Sequence, residues 1–147
     1  MPDRFESRLT RSPAPLSTIV VAGNPDEDAR VILASGLTYA GYSLRLAGTG
    51  DELLREAGGE DVSLVIAEVN LACEDGSCAI EVLKRTPALR HIPVLAYAAS
   101  ARVVSEARAL SSGADWFLGD PTHLGDLFDV VSSIDLTGAH AVEGSDQ

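Results

Sequence analysis

Five times along the chain, a short apolar run rich in β-branched residues is followed by a longer stretch whose apolar positions recur every three or four residues. The runs are Thr18-Ile19-Val20-Val21-Ala22, Tyr42 to Ala47, Val62-Ser63-Leu64-Val65-Ile66-Ala67, Ile92 to Ala98 and Ala114 to Gly119. Near-continuous apolar character over so few residues predicts strands covered on both faces, as in the middle of a parallel sheet. The second run differs. It alternates Tyr42, Leu44 and Leu46 with Ser43 and Arg45, which predicts a half-exposed strand at or near an edge.

The intervening stretches carry helix signals. Asn24 as a cap and Pro25 at the first helical position predict a helix to about Ala40, burying Ala29, Ile32, Leu33 and Leu37 and stopping at Gly41. Thr49-Gly50-Asp51-Glu52 reads as a capping box for a short helix ending at Gly58-Gly59. A third helix is predicted from about Ser77 to Arg85, packing Ile80 and Leu83 and ended by Pro87. The fourth starts at Ser100, buries Val103, Val104, Ala107 and Leu110, and stops at Gly113. After Asp120-Pro121, Thr122 caps a fifth that presents Leu124, Leu127, Phe128, Val131 and Ile134 at helical spacing. Parallel neighbours need crossovers, and these are right-handed, so the pattern predicts an α/β fold: a (βα)5 doubly wound parallel five-stranded sheet over residues 18–134. Residues 1–17 read as a flexible N-terminal arm with three arginines, and residues 135–147 as a flexible acidic tail.

Composition narrows the possible functions. At 147 residues, 46% hydrophobic and 22% charged, the chain is an ordinary globular domain. Its net charge of -11 repels polyanions, and it has no basic stripe or aromatic platform, so direct nucleic-acid binding is not expected. No stretch has the length of a membrane span or the apolar block of a signal peptide, so a cytoplasmic home is expected. Arginine outnumbers lysine ten to one, a composition that fits a bacterium with a GC-rich genome. Cys73 and Cys78 have no companions to complete a zinc set and read as reduced thiols.

The candidate chemistry lies at Glu68, the carboxylate that ends the third apolar run and opens the loop Val69 to Gly76. In open α/β sheets ligands bind at the carboxyl ends of strands, where diverging loops leave a crevice. Elsewhere the signals are weak. His91 and His123 stand alone, His140 lies in the tail, and Ser77 and Ser100 read as helix caps. Gly23 follows a strand, but the chain has neither G-x-G-x-x-G nor a P-loop.

Several segments carry a family resemblance: Ile19-Val20-Val21 leading into Asn24-Pro25-Asp26, Ala40-Gly41-Tyr42, Leu64-Val65-Ile66-Ala67-Glu68 with Asp75-Gly76, Arg90-His91-Ile92-Pro93-Val94, and Gly113-Ala114-Asp115-Trp116-Phe117-Leu118 before Pro121. Over roughly residues 18–134 the chain resembles the CheY-like receiver domain of two-component response regulators. The resemblance implies the flavodoxin-like strand order 2-1-3-4-5, with a pocket where strands 1 and 3 end. It also implies a phosphorylation site that this chain lacks. The acidic pair for magnesium falls on Ala22 and Gly23, the phosphoacceptor aspartate on Glu68, the phosphoryl-binding hydroxyl on Ala98 and the neutralising lysine on Asp120. Asn70, whose counterpart offers a carbonyl to the metal, and the aromatic Phe117 remain.

No metal or other cofactor is therefore expected, since Ala22 and Gly23 bring no side-chain oxygen. A phosphoryl group beside Asp120 would meet uncompensated repulsion of roughly 2 to 3 kcal/mol per charge pair at ~6 Å and an effective dielectric of ~20. Glu68 extends the acceptor position by a methylene and imitates a phosphorylated aspartate, but Ala98 cannot read it, so one fixed conformation is expected rather than a switch. The chain is thus expected to be a pseudo-receiver in bacterial signalling, not an enzyme. By the resemblance it binds a protein partner, or a second copy, through the face of the fourth helix, fifth strand and fifth helix, with Leu110, Trp116 and Phe117 as anchors. The alternative is a small-molecule sensor using the space left by Ala22, Gly23 and Ala98.

Overall fold

The five apolar runs form five parallel strands, β1 (Thr18–Ala22), β2 (Ser43–Ala47), β3 (Val62–Glu68), β4 (Val94–Tyr97) and β5 (Trp116–Leu118), in one sheet of order β2-β1-β3-β4-β5. Five helices connect or follow them: α1 (Asp28–Tyr39), α2 (Gly50–Ala57), α3 (Ala79–Arg85), α4 (Val103–Ser112) and α5 (Leu124–Ser133). A computed structural model describes residues 18–59, 61–98, 103–119 and 124–133. The arm, the tail, Ser100, Asp120, Thr122, His123 and Ile134 lie outside the described residues.

Alternation along each strand divides the core in two. Ile19, Val21, Leu64, Ile66, Leu95 and Tyr97 face α1 and α5, meeting Leu33, Leu37, Leu127 and Val131. Val20, Ala22, Val65, Ala67, Val94 and Ala96 face α2, α3 and α4, meeting Leu53, Ile80, Leu83 and Ala109. The central strands are apolar at nearly every position because neither face meets water. β2, at the edge, is the strand whose residues alternate.

Several helix ends follow local chemistry. Gly41 (φ 99°) and Gly113 (φ 104°) turn α1 and α4 off in the left-handed region. The next amides then bond back five residues, Tyr42 N–H to the Leu37 carbonyl and Ala114 N–H to the Ala109 carbonyl. Thr49 Oγ1 accepts from Glu52 N–H at 3.1 Å, while the Glu52 carboxylate reaches one residue further than a capping box predicts and accepts from Gly48 N–H at 2.6 Å.

Three expectations need correction. Asn24 does not cap a helix at Pro25: its side-chain oxygen accepts from Asp26 N–H at 2.9 Å, a local turn that delays α1 to Asp28 and leaves Ile32 only half-buried. Ser77 does not cap α3, whose first cap is Cys78; its hydroxyl donates to Asp75 instead, which holds the Asp75 carboxyl below its ordinary range. α4 turns Ala109 and Ser112 inward and leaves Ala107 and Leu110 exposed. Alanine and leucine at helical spacing fit either face of α4, and the narrow space beside α3 takes the smaller pair.

The single lysine is structural. Lys84 Nζ, on α3, donates to Asp115 Oδ2 at 3.0 Å and to the Ile92 carbonyl at 2.9 Å, and Asp115 Oδ2 also accepts from Val94 N–H at 2.8 Å. This clasp ties α3 to the starts of β4 and β5, at the opposite end of the sheet from Glu68.

Candidate functional site

The rim above β1 and β3 is built by three loops. After β1, Gly23 N–H bonds to the Ala47 carbonyl at 3.0 Å, so the chain stays beside β2 before turning into α1. The loop after β3 is held from α2: Gly50 N–H donates to the Ala72 carbonyl at 3.1 Å, and the Asp51 carboxylate accepts from Glu74 N–H at 2.8 Å. The same loop closes on itself through Cys73 N–H to the Ser77 carbonyl at 2.8 Å and Ala79 N–H to the Leu71 carbonyl at 3.0 Å.

Glu68 is half-buried at the end of β3, in register with Tyr97 of β4. Its carboxylate folds back on its own loop, accepting from Asn70 N–H at 2.9 Å. Tyr97 is completely buried and reaches from β4 past β3 to β1, where its hydroxyl donates to the Ala22 carbonyl at 3.3 Å. A Cβ on Gly23 would overlap that hydroxyl. The ring tip thus occupies the volume that a side chain at position 23 would need. Burial first, and the nearby Glu68 carboxylate second, push the Tyr97 phenol well above its ordinary value, with Arg30 opposing.

The phenol's burial has a measurable consequence. The unfolded state loses the Tyr97 proton near pH 10 and the folded state only at higher pH, so the folded state binds more protons in that window. Stability is therefore expected to be intact below pH 10 and to fall as pH rises above it, and Tyr97→Phe is expected to flatten this alkaline limb. Thermal melts from pH 8 to 12 check it: equal alkaline slopes in the two proteins would contradict the buried phenol.

A cavity of about 420 Å³ opens beside this plug, lined by Asn24, Glu27, Gly48, Glu68, Asn70, Leu71 and Ala72. Ala22, Gly23 and Ala98 are buried and are not among its lining residues. The expected open space is therefore displaced, because Tyr97 fills the part over Gly23. Among the described residues no three histidine, cysteine, aspartate or glutamate side chains are grouped to hold a metal ion. Both cysteines are free thiols, Cys73 buried and pushed up by that burial.

Sequence reasoning missed Tyr97. Its signal was a phenol in an otherwise apolar central strand, since a buried tyrosine hydroxyl requires a partner. At the other candidate site, Trp116 and Phe117 point to opposite faces as expected, but both are half-buried, and Leu110 is 55% exposed.

Residues 20–132 match the response regulator receiver domain family. The chain belongs to that family. This receiver domain is 29% identical over 96 residues to the transcriptional regulatory protein GltR of Pseudomonas aeruginosa, an alignment covering 65% of this chain and 40% of that relative. The chain thus corresponds to less than half of that longer protein. In fold it resembles a response regulator from Desulfuromonas acetoxidans (24% identity, TM-score 0.69, covering 80% of this chain and 95% of that one). It also resembles the receiver domain in a co-crystal structure of Saccharomyces cerevisiae histidine phosphotransfer signaling protein Ypd1 with its downstream response regulator Ssk1 (18% identity, TM-score 0.64, covering 79% and 87%). As a receiver domain the protein is a module of two-component signalling, and among its described residues no helix is long and apolar enough to cross a membrane.

Proposed function

We propose that this receiver domain works without phosphorylation, as a non-enzymatic module that binds a protein. The observation that carries the proposal is the Tyr97 hydroxyl seated over Gly23 and bonded to the Ala22 carbonyl. At the two positions where the family's magnesium-binding acids fall, the chain offers backbone oxygens only, and one of them is already engaged by Tyr97. The residues do not fit the ion, which demands a near-octahedral set of hard oxygens.

The phosphoryl group fares no better. The only lysine is clasped to Asp115 at the far end of the sheet, and the cavity mouth carries the carboxylates of Glu27 and Glu68. Ala98, at the position of the phosphoryl-binding hydroxyl, is buried and has no side-chain donor. Phe117 packs into the α2–α4 side of the core, and with nothing at Ala98 to draw the loop inward it has no reason to move. Signalling then depends on a constitutive surface. The face of α4, β5 and α5 supports this through Leu110, exposed on α4, and the half-buried Trp116 and Phe117 of β5.

Amide NMR spectra with and without magnesium plus beryllofluoride test the proposal. Glu68, Asn70, Ala98 and Trp116 are expected to keep their shifts. A saturable, concerted movement of those amides would show that a phosphoryl site operates here and would remove the proposal.

A further inference from the structure

One surface takes no part in the rim at Glu68 or in the α4–β5–α5 face. From Val31 to Leu44 the sequence contains no charged residue, although 22% of the chain is charged. The stretch covers all but the first turn of α1 and the start of β2, and much of it faces solvent: Val31 is 52% exposed, Tyr39 93%, and Ser35, Thr38 and Ser43 are also exposed. Every other helix carries charge beyond its first residues or on its exposed face, such as Arg55 on α2, Arg85 on α3, Arg108 on α4 and Asp129 on α5. Three of the four large apolar side chains exposed among the described residues, Val31, Tyr39 and Leu46, belong to α1 or to β2 beside it. Between helix and strand runs a groove of about 650 Å³, walled by Tyr39, Tyr42, Leu44 and Leu46 over the small side chains Ala34 and Ser35. Depletion of charge with aromatic enrichment marks the core of a protein interface.

β2 supplies the second half of the argument. Among the described residues it is an edge strand, paired to β1 in unbroken register from Thr18↔Ser43 to Ala22↔Ala47, and it contains no proline, glycine or lysine to blunt its outer edge. Its one charge, Arg45, leans on Glu56 at 4.0 Å.

We infer that this edge takes a second copy of the chain, with β2 pairing antiparallel to its counterpart about a twofold axis. A molecule of net charge -11 is repelled by itself, and at the α1–β2 face copy can meet copy across a stretch, Val31 to Leu44, that carries no charge. Centring the axis on Leu44 completes the match. Leu44 then faces the other copy's Leu44, Leu46 faces Tyr42, and Arg45 faces Ser43 instead of another arginine. Residues 42, 44 and 46 share one side of the strand, so these apolar pairs and both grooves fall on the α1 side and close together, an isologous contact. The α4–β5–α5 face stays free in such a dimer, at the other edge of the sheet.

Sedimentation equilibrium of the full chain tests the inference, from micromolar to millimolar concentration. The expected mass is twice 15.4 kDa, with association strengthened by added salt as net repulsion is screened. Tyr39→Glu and Leu46→Arg, both at exposed positions and each checked by its circular dichroism and melting temperature, are expected to give monomers, whereas Leu110→Glu is expected to remain dimeric. Hydrogen exchange at the β2 amides is expected to slow with concentration. A single-chain mass throughout would overturn the inference. So would a dimer that survives both edge substitutions and is lost in Leu110→Glu, or a monomer whose β2 amides are protected at every concentration, which would mean that another segment of the same chain covers the edge.

Discussion

Replacing Gly23 by alanine is expected to destabilise the domain by about 3 kcal/mol, at the upper end of the cost of overfilling a packed core. Gly23 is not in the left-handed region, so its backbone does not require glycine; the requirement is space. The added methyl would overlap the Tyr97 hydroxyl and lie 3.2 Å from the ring carbon that bears it. That ring cannot move aside, because Tyr97 is fully buried among Ile19, Val21, Ile66 and Leu95. Tyr97→Phe alone should cost about 1 kcal/mol for the lost hydrogen bond to the Ala22 carbonyl. In the double variant the worst overlap is gone, and the alanine should cost under about 1 kcal/mol, leaving a coupling of about 2 kcal/mol between the two positions. Urea midpoints of the four proteins measure it. Equal cost of Gly23→Ala in both backgrounds would mean that Tyr97 does not plug the site. The coupling also bears on function: a carboxylate cannot be restored at position 23 unless residue 97 is reduced at the same time.

The second large effect is expected at Gly50, the first residue of α2. Helix propensity alone favours alanine over glycine by up to about 1 kcal/mol, so a propensity argument predicts stabilisation. Packing predicts the reverse. A Cβ at Gly50 would lie 2.7 Å from the Ala72 carbonyl carbon and oxygen and 2.8 Å from the Cys73 nitrogen. These are backbone atoms of the loop that follows Glu68, held by the Gly50 N–H to Ala72 carbonyl bond and the Asp51 to Glu74 bond, and they have little room to yield. Gly50→Ala is therefore expected to lose about 2 kcal/mol net, the overpacking cost outweighing the propensity gain. The amides of Leu71, Ala72, Cys73 and Glu74 should shift with it, since the loop must move away from α2. A stabilised variant with unchanged loop amides would show that the close approach is absent.

Much of the fold was legible in the chain because it depends on local periodicity. Five apolar runs too short for helices, separated by stretches of 3.6-residue period, leave few arrangements once parallel pairing and right-handed crossovers are required. The alternation of Tyr42 to Ala47 marked β2 as an edge strand, and Gly41 and Gly113 marked helix ends that need a left-handed residue. Glu68 could be assigned to the rim because a strand end is fixed by where its apolar run stops, and Ala22, Gly23 and Ala98 through the resemblance to receiver domains. The tertiary structure alone decided what fills that rim. Tyr97 is 74 residues beyond Gly23 in sequence, and nothing local says that a phenol on β4 ends over a glycine after β1; only the order β1-β3-β4 brings them together. The same holds for α4, where the space beside α3 selected Ala109 over Leu110, and for Val31, Tyr39 and Leu46: the lack of charge from Val31 to Leu44 is plain in the sequence, but only packing α1 against the sheet edge shows that these three side chains stay exposed on one side. Periodicity reports which side of an element is apolar, whereas contact between elements is set by volumes that no single element contains.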